Sequence, residues 1–100
     1  MIVVGTVTAI ETEKKVIFHE DDGSQSEHRC VSIWVKSADE TTQGSWVTIV
    51  KLYDNKIDEA AELGLEVNSM VNVDVRPTYR KNYKTGEFIP AITNKLNAIL

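Results

Sequence analysis

Apolar and polar residues alternate with a period of two along most of this chain, the pattern of strands that bury one face. Ile2 to Ile10 alternates loosely and is rich in Val, Thr and Ile, which predicts a first strand. Gly5 within it predicts a bulge or the close approach of another backbone. Lys15-Val16-Ile17-Phe18 is a short second piece, ended by the polar turn Glu20-Asp21-Asp22-Gly23-Ser24 with its Asp-Gly reversal signature. Cys30 to Lys36 alternates cleanly, with Val31, Ile33 and Val35 on one face and Cys30, Ser32, Trp34 and Lys36 on the other. After the polar loop Ser37 to Gly44, Trp46 to Tyr53 carries apolar residues at both parities, as in a strand buried on both sides or one carrying a bulge.

One segment reads as helix, from Asn55 to Leu63. Asn55 is placed to cap it, Asp58 and Glu59 lie in its positive first turn, Ile57, Ala60, Ala61 and Leu63 give it an apolar side, and Gly64 stops it. Met70 to Arg76 then alternates strictly, Val71, Val73 and Val75 inward and Asn72, Asp74 and Arg76 outward. A hairpin tip at Asn82 to Gly86 turns the chain into Phe88 to Thr93, and Leu96 to Leu100 stays apolar. The order is three strands, one helix, two strands. It predicts an all-β fold: a five-stranded antiparallel OB-fold Greek-key barrel with one short helix between strands three and four. Ubiquitin-like and SH3-like barrels are the competing topologies.

One hundred residues with 42% hydrophobic content suit a single domain spanning 1–100. No apolar run reaches the roughly 18 residues of a membrane helix, and the N-terminus lacks the pattern of a signal peptide. A single cysteine, Cys30, excludes an internal disulfide and fits a reducing cytoplasm. The net charge is −4, yet Arg76, Arg80, Lys81 and Lys84 crowd a segment that also holds Tyr79, Tyr83 and Phe88, its first acid being Glu87. Cations interleaved with rings suit a single strand of nucleic acid, the cations neutralising phosphates and the rings offering faces to unstacked bases. The plainer alternative is a solvated hairpin whose rings pack on its own strands.

The chain resembles the single-stranded DNA-binding proteins of bacteria and phages. The likeness rests on Val4-Gly5-Thr6-Val7 in the opening strand, Val31 to Val35 in the second, and the Trp-led run Ser45 to Tyr53 in the third. It continues through Asp58 to Gly64 in the helix, Val67 to Val75 in the fourth strand, Lys84-Thr85-Gly86-Glu87 in the hairpin and Ile92 to Leu100 at the end. The shared order and spacing carry it; no one motif is diagnostic. The resemblance implies binding of unpaired DNA without sequence preference, bases stacked on aromatic rings, and assembly as a homo-dimer or homo-tetramer in the cytoplasm of a bacterial host cell. The chain closes on Ala98-Ile99-Leu100 rather than the family's acidic, Phe-terminated tail, which suggests a phage, plasmid or mobile-element version, or a shortened chain. Replication or recombination proteins are the further partners implied.

The residues expected to hold nucleic acid are Trp34, Lys36, Trp46, Lys51, Tyr53, Arg76, Tyr79, Arg80, Lys81, Tyr83, Lys84 and Phe88. For Trp34 the choices are base stacking, a contact between subunits and barrel packing; for Trp46, core and ligand face. The Val-rich first strand is a candidate edge for pairing between subunits. His19, Glu20, Asp21, Asp22 and His28 match no metal-ligand spacing, and neither a phosphate-cradling glycine loop nor a Ser/His/Asp arrangement is legible. No enzyme, metal or cofactor is therefore expected. The alternative function is an OB-fold primosomal or protein-interaction module with little affinity for DNA.

Overall fold

The computed structural model describes residues 1–37, 47–82 and 84–100. Among them the alternating segments form six strands and one helix: β1 (Ile2–Ile10), β2 (Lys14–His19), β3 (Gln25–Ser37), β4 (Val47–Tyr53), α1 (Asn55–Glu62), β5 (Met70–Lys81) and β6 (Phe88–Ile99). All the pairings are antiparallel. No helix among the described residues is long and apolar enough to cross a membrane.

The sixth strand arises because the first edge partner of β3 is broken in two. Ile33 pairs with Ile10 and Val50, while Cys30 pairs with Lys14 and Tyr53. Hence β1 and β2 lie end to end along one edge of β3 and β4 lies along the other. The break falls at Glu11-Thr12-Glu13, where consecutive polar residues interrupt the alternation, although the Glu11 N–H still donates to the Ser32 carbonyl at 2.9 Å. The ladder therefore runs β4-β3-β1-β5-β6. Its two ends approach where the Asn94 side-chain N–H donates to the Ile49 carbonyl at 3.0 Å. This nearly closed sheet is consistent with an OB-like arrangement.

The inward residues are those the alternation marks. Val7, Ile33, Val35, Val50, Val71 and Val73 are wholly buried, with Val31, Leu52 and Ala60 beside them. Burying each such aliphatic side chain contributes about 1.5–3 kcal/mol. The mixed parity of β4 resolves without a bulge: Val50 and Leu52 face the core, and Val47, Ile49 and Lys51 face out. Gly5 is a close approach, since a Cβ there would lie 2.7 Å from Val35 Cγ1 and closer still to the Lys36 carbonyl oxygen. The irregularity in β1 falls later, between Val7 and Ala9.

Four expectations are corrected. The first strand is not a free edge along most of its length, because β5 takes Ile2–Thr6 and β3 takes Gly5–Ile10; among the described residues only Ile2–Val4 lacks a partner on the β3 side. Asn55 is already helical, and the cap position is Asp54, whose carboxylate does not bond α1. On α1 only Ala60 is buried and Ile57 packs partly, while Ala61 and Leu63 face solvent, so the apolar side is narrower than the sequence suggests. Asp74, assigned outward, is buried and accepts from Arg76 Nε at 2.6 Å, with the Met1 ammonium 3.8 Å away.

Candidate nucleic-acid interface

From Arg76 onward β5 pairs with β6 alone, since its last β1 partner faces Asp74. The pair leaves the barrel as a two-stranded ribbon. Pro77 and Pro90 sit in this projecting part, where a missing N–H on an outer edge breaks no ladder. The tip is closed by Asn82, whose N–H donates to the Glu87 carbonyl at 2.8 Å and whose side-chain oxygen accepts from Lys84 N–H at 2.9 Å. Gly86, at φ 75°, donates to the Asn82 carbonyl at 2.7 Å.

The register sorts the ribbon's side chains. Tyr79 stands opposite Pro90 and Lys81 opposite Phe88, on the face that continues from Val73 and Val75; Arg76 stands opposite Thr93 and Arg80 opposite Ile89, on the other. Tyr79 is 71% and Phe88 69% exposed, so neither ring braces the hairpin. Arg76 does not share the rings' side, and its guanidinium is held by Asp74. The interleaving seen in sequence thus becomes a ribbon with rings on one face and two of its arginines on the other.

A second surface lies on β3 and β4. Trp34 pairs with Ile49, Lys36 with Val47, Ser32 with Lys51 and Cys30 with Tyr53, which puts Trp34, Lys36, Lys51 and Tyr53 on one outward face. Trp34 is 39% exposed, and its indole N–H donates to Glu11 Oε2 at 3.0 Å, fixing the ring's orientation. Tyr53 is half-buried against Phe18, with ring centroids 5.1 Å apart in an edge-on arrangement. Burial, and then the neighbouring Cys30, push its hydroxyl pKa up, so it stays a neutral ring.

Between β4 and α1 on one side and the ribbon on the other runs a groove of about 1160 Å³. Its walls carry Lys51, Lys56, Arg80, Lys81 and Lys95, the rings of Tyr53 and Tyr79, and aliphatic ground at Ile49, Leu52 and Ile92. Glu59 is the one carboxylate among the described lining residues, and Lys56 Nζ pairs with it at 3.1 Å. Lys51, Lys56 and Lys81 around one acid, with Arg80 and Lys95 bordering the groove from the ribbon's other face, make a local positive channel in a chain of net charge −4.

Of the residues expected from sequence, the groove gathers Lys51, Tyr53, Tyr79, Arg80 and Lys81. Trp34 and Lys36 adjoin it across β4, Lys84 and Phe88 lie at the ribbon tip, and Arg76 points elsewhere. Trp46 and Tyr83 lie outside the described residues. Sequence reasoning missed Lys56 and Lys95. Lys95 stands opposite Asp74, on the face away from Asn94, and borders the groove from that side; Lys56 belongs to the first helical turn, whose orientation the sequence does not give.

The other end of β3 is acidic and internally paired. Arg29 is held by Glu13 at 2.8 Å and Asp58 at 3.0 Å, and these bonds raise the guanidinium pKa further and lower that of Asp58. His28 Nδ1 lies 2.6 Å from Asp54 Oδ2 and its Nε2 lies 2.8 Å from Ser26 Oγ. A Ser/His/Asp arrangement therefore exists, contrary to the sequence expectation. Ser26 and His28 share a strand face at a spacing of two, and Asp54 joins them only through the fold. The His28 bond, followed by the Arg29 backbone N–H, lowers the Asp54 pKa. Among the described residues no cluster of three or more His, Cys, Asp and Glu side chains is placed to hold a metal ion.

No family model and no curated protein matches this chain. Among solved structures, the crystal structure of a small single-stranded DNA-binding protein from Streptomyces coelicolor is similar at 15% identity, covering 99% of this chain and 89% of that one, with a TM-score of 0.35. A likeness at that score carries no weight for function, which rests on the groove's own residues.

Proposed function

We propose that this chain is a single OB-fold domain that binds single-stranded DNA without sequence preference, in replication or recombination. The observation that supports this reading is the groove, where Lys51, Lys56, Lys81, Tyr53 and Tyr79 lie along one channel of an otherwise acidic protein, with Arg80 and Lys95 bordering it. Lys51, Lys56, Arg80, Lys81 and Lys95 neutralise phosphates, and displaced counterions drive association. Tyr53, Tyr79 and, across β4, Trp34 offer ring faces to bases; every base has such a face, so little sequence preference results. Lys84 and Phe88 extend the same contacts to the ribbon tip, and Lys36 extends them beyond Trp34.

One groove spans few nucleotides, so useful affinity calls for linked copies. Exposed Phe88, Ile89 and Ile92 on the ribbon, and Ile2, Val4, Met70 and Leu100 elsewhere, support self-association as a homo-dimer or homo-tetramer. The Arg80→Ala, Lys81→Ala double variant tests the groove. It is expected to keep its fold and to bind a thymidine oligomer more weakly; unchanged binding removes the groove from the mechanism.

A further inference from the structure

Four polar side chains form one chain of hydrogen bonds beside the groove. Ser26 Oγ donates to Glu20 Oε1 at 2.7 Å, His28 Nε2 lies 2.8 Å from Ser26 Oγ, and His28 Nδ1 lies 2.6 Å from Asp54 Oδ2. Hydrogen accounting fixes the donors. An ionised carboxylate only accepts, so Nδ1 carries a hydrogen toward Asp54. The hydroxyl of Ser26 has one hydrogen and spends it on Glu20. With Ser26 donating to Glu20, Nε2 can bond Ser26 Oγ only as a donor, which together with Nδ1–H is the imidazolium form. When the ring loses a proton, Ser26 has to turn its hydrogen to Nε2 and release Glu20, and Asp54 faces a neutral donor.

Asp54 is where this proton matters. Its backbone stands at φ 51° and ψ −126°, a region costly for a residue with a Cβ and sustained only by its surroundings. Its restraints are His28 Nδ1–H at 2.6 Å, the Arg29 N–H on Oδ1 at 3.1 Å and its own N–H on the Arg29 carbonyl at 3.1 Å. Its carbonyl accepts from Ile57 N–H at 3.0 Å, at the start of α1. Tyr53 precedes it and Lys56 lies two residues on, and both line the groove. The Phe18 ring lies 4.5 Å from the His28 ring and 5.1 Å from that of Tyr53. Lys14 on β2, Glu20 in the turn, Cys30 on β3, Tyr53 on β4 and Asp54 before α1 are the titratable groups sharing this face with His28.

We propose that His28 is a positioning residue for the groove, acting through Asp54 and only as the imidazolium, so that affinity for a single strand falls as His28 deprotonates. The proposal rests on the groove being the nucleic-acid site. Histidine is the side chain that changes charge between about pH 5 and 8. Thymine carries no group titrating in that range, so a thymidine oligomer is a suitable probe.

Binding of a thymidine oligomer is measured across that range for the native chain and for His28→Gln, Asp54→Asn and His19→Gln. Asn tolerates a positive φ, so Asp54→Asn changes the charge with little backbone cost. The native chain and His19→Gln are expected to lose affinity about threefold to tenfold as the pH rises, the effect of weakening one charge-assisted hydrogen bond. His28→Gln and Asp54→Asn are expected to be weak and flat. If His28 acted by its charge alone, Asp54→Asn would bind more tightly and keep the pH dependence, which overturns the proposal. Binding that is flat with pH in the native chain overturns it too, and leaves the groove standing; no binding by any form overturns the groove reading itself. An NMR titration without ligand tests the positioning separately: the Tyr53 and Lys56 amide signals should follow the His28 ring midpoint in the native chain and not in Asp54→Asn. Signals that stay fixed contradict the proposal.

Discussion

Asn94 reaches from β6 to donate a side-chain hydrogen bond to the Ile49 carbonyl of β4 at 3.0 Å, where no backbone ladder joins the two strands. This bond ties the two walls of the groove together at one end. The other side-chain atom, Oδ1, is buried without a partner among the described residues. Asn94→Asp keeps the shape but replaces the donor by an acceptor facing a carbonyl. It is expected to destabilise the fold by about 1–3 kcal/mol in urea unfolding and to weaken single-strand binding. Asn94→Asp with native-like stability would show that the tie does not hold the walls.

Gly5 is fixed by packing. An added Cβ would press on the Lys36 carbonyl and on Val35 Cγ1, between strands paired on both sides. Gly5→Ala is expected to cost about 1–3 kcal/mol in urea unfolding, the range for overpacking a close-fitted site. A midpoint unchanged from the native chain would mean that β1 and β3 separate there at no cost.

The groove cations are expected to separate from cations elsewhere in a salt titration. Lys51→Ala and Lys95→Ala should each weaken binding and reduce the log–log salt slope by about 1. Lys15→Ala, whose ammonium pairs with Glu27 at 3.2 Å away from the groove, should leave both unchanged. Equal effects of all three would point to net charge rather than a channel.

Tyr79 and Arg76 make opposite demands on the ribbon. Tyr79→Ala is expected to cost about 1–3 kcal/mol of single-strand affinity without loss of stability, as a stacking ring does. Arg76→Ala is expected to lower stability while sparing affinity, because it leaves the buried Asp74 without its 2.6 Å partner. Paired urea and binding measurements on the two variants check this, and the reversed pattern would contradict the assignment of faces.

Acid should loosen the β3–α1 junction. Asp54 and Asp58 have folded pKa values below the ordinary 3.8, through His28 and Arg29 respectively. A carboxyl depressed by folding stabilises fully above its unfolded pKa, and that contribution is lost as pH falls through the folded one. Stability is therefore expected to fall below about pH 4, and Asp58→Asn should flatten part of that fall in urea unfolding at several pH values.

The core and the strand order were legible because they rest on alternation: Val31, Ile33 and Val35 face inward as the pattern requires, and β5 buries Val71 and Val73 and half-buries Val75. The facing of Tyr79 against Arg80 was legible in principle, since adjacent strand residues always diverge, but composition alone merged them into one basic, aromatic patch. The split between β1 and β2, Asp54 bonding His28 instead of capping α1, and the entry of Lys56 and Lys95 into the groove depend on long-range register. No local pattern encodes them.

The central claim is tested most directly by titrating the protein with a thymidine oligomer and with a duplex of equal length, following tryptophan fluorescence at several salt concentrations. Trp34 lies beside the groove on the β3–β4 face, so the account predicts quenching by the single strand, little by the duplex, and a log–log salt slope of about −2 to −3.5, for about three to five phosphate contacts. An absence of binding even at low salt would contradict it.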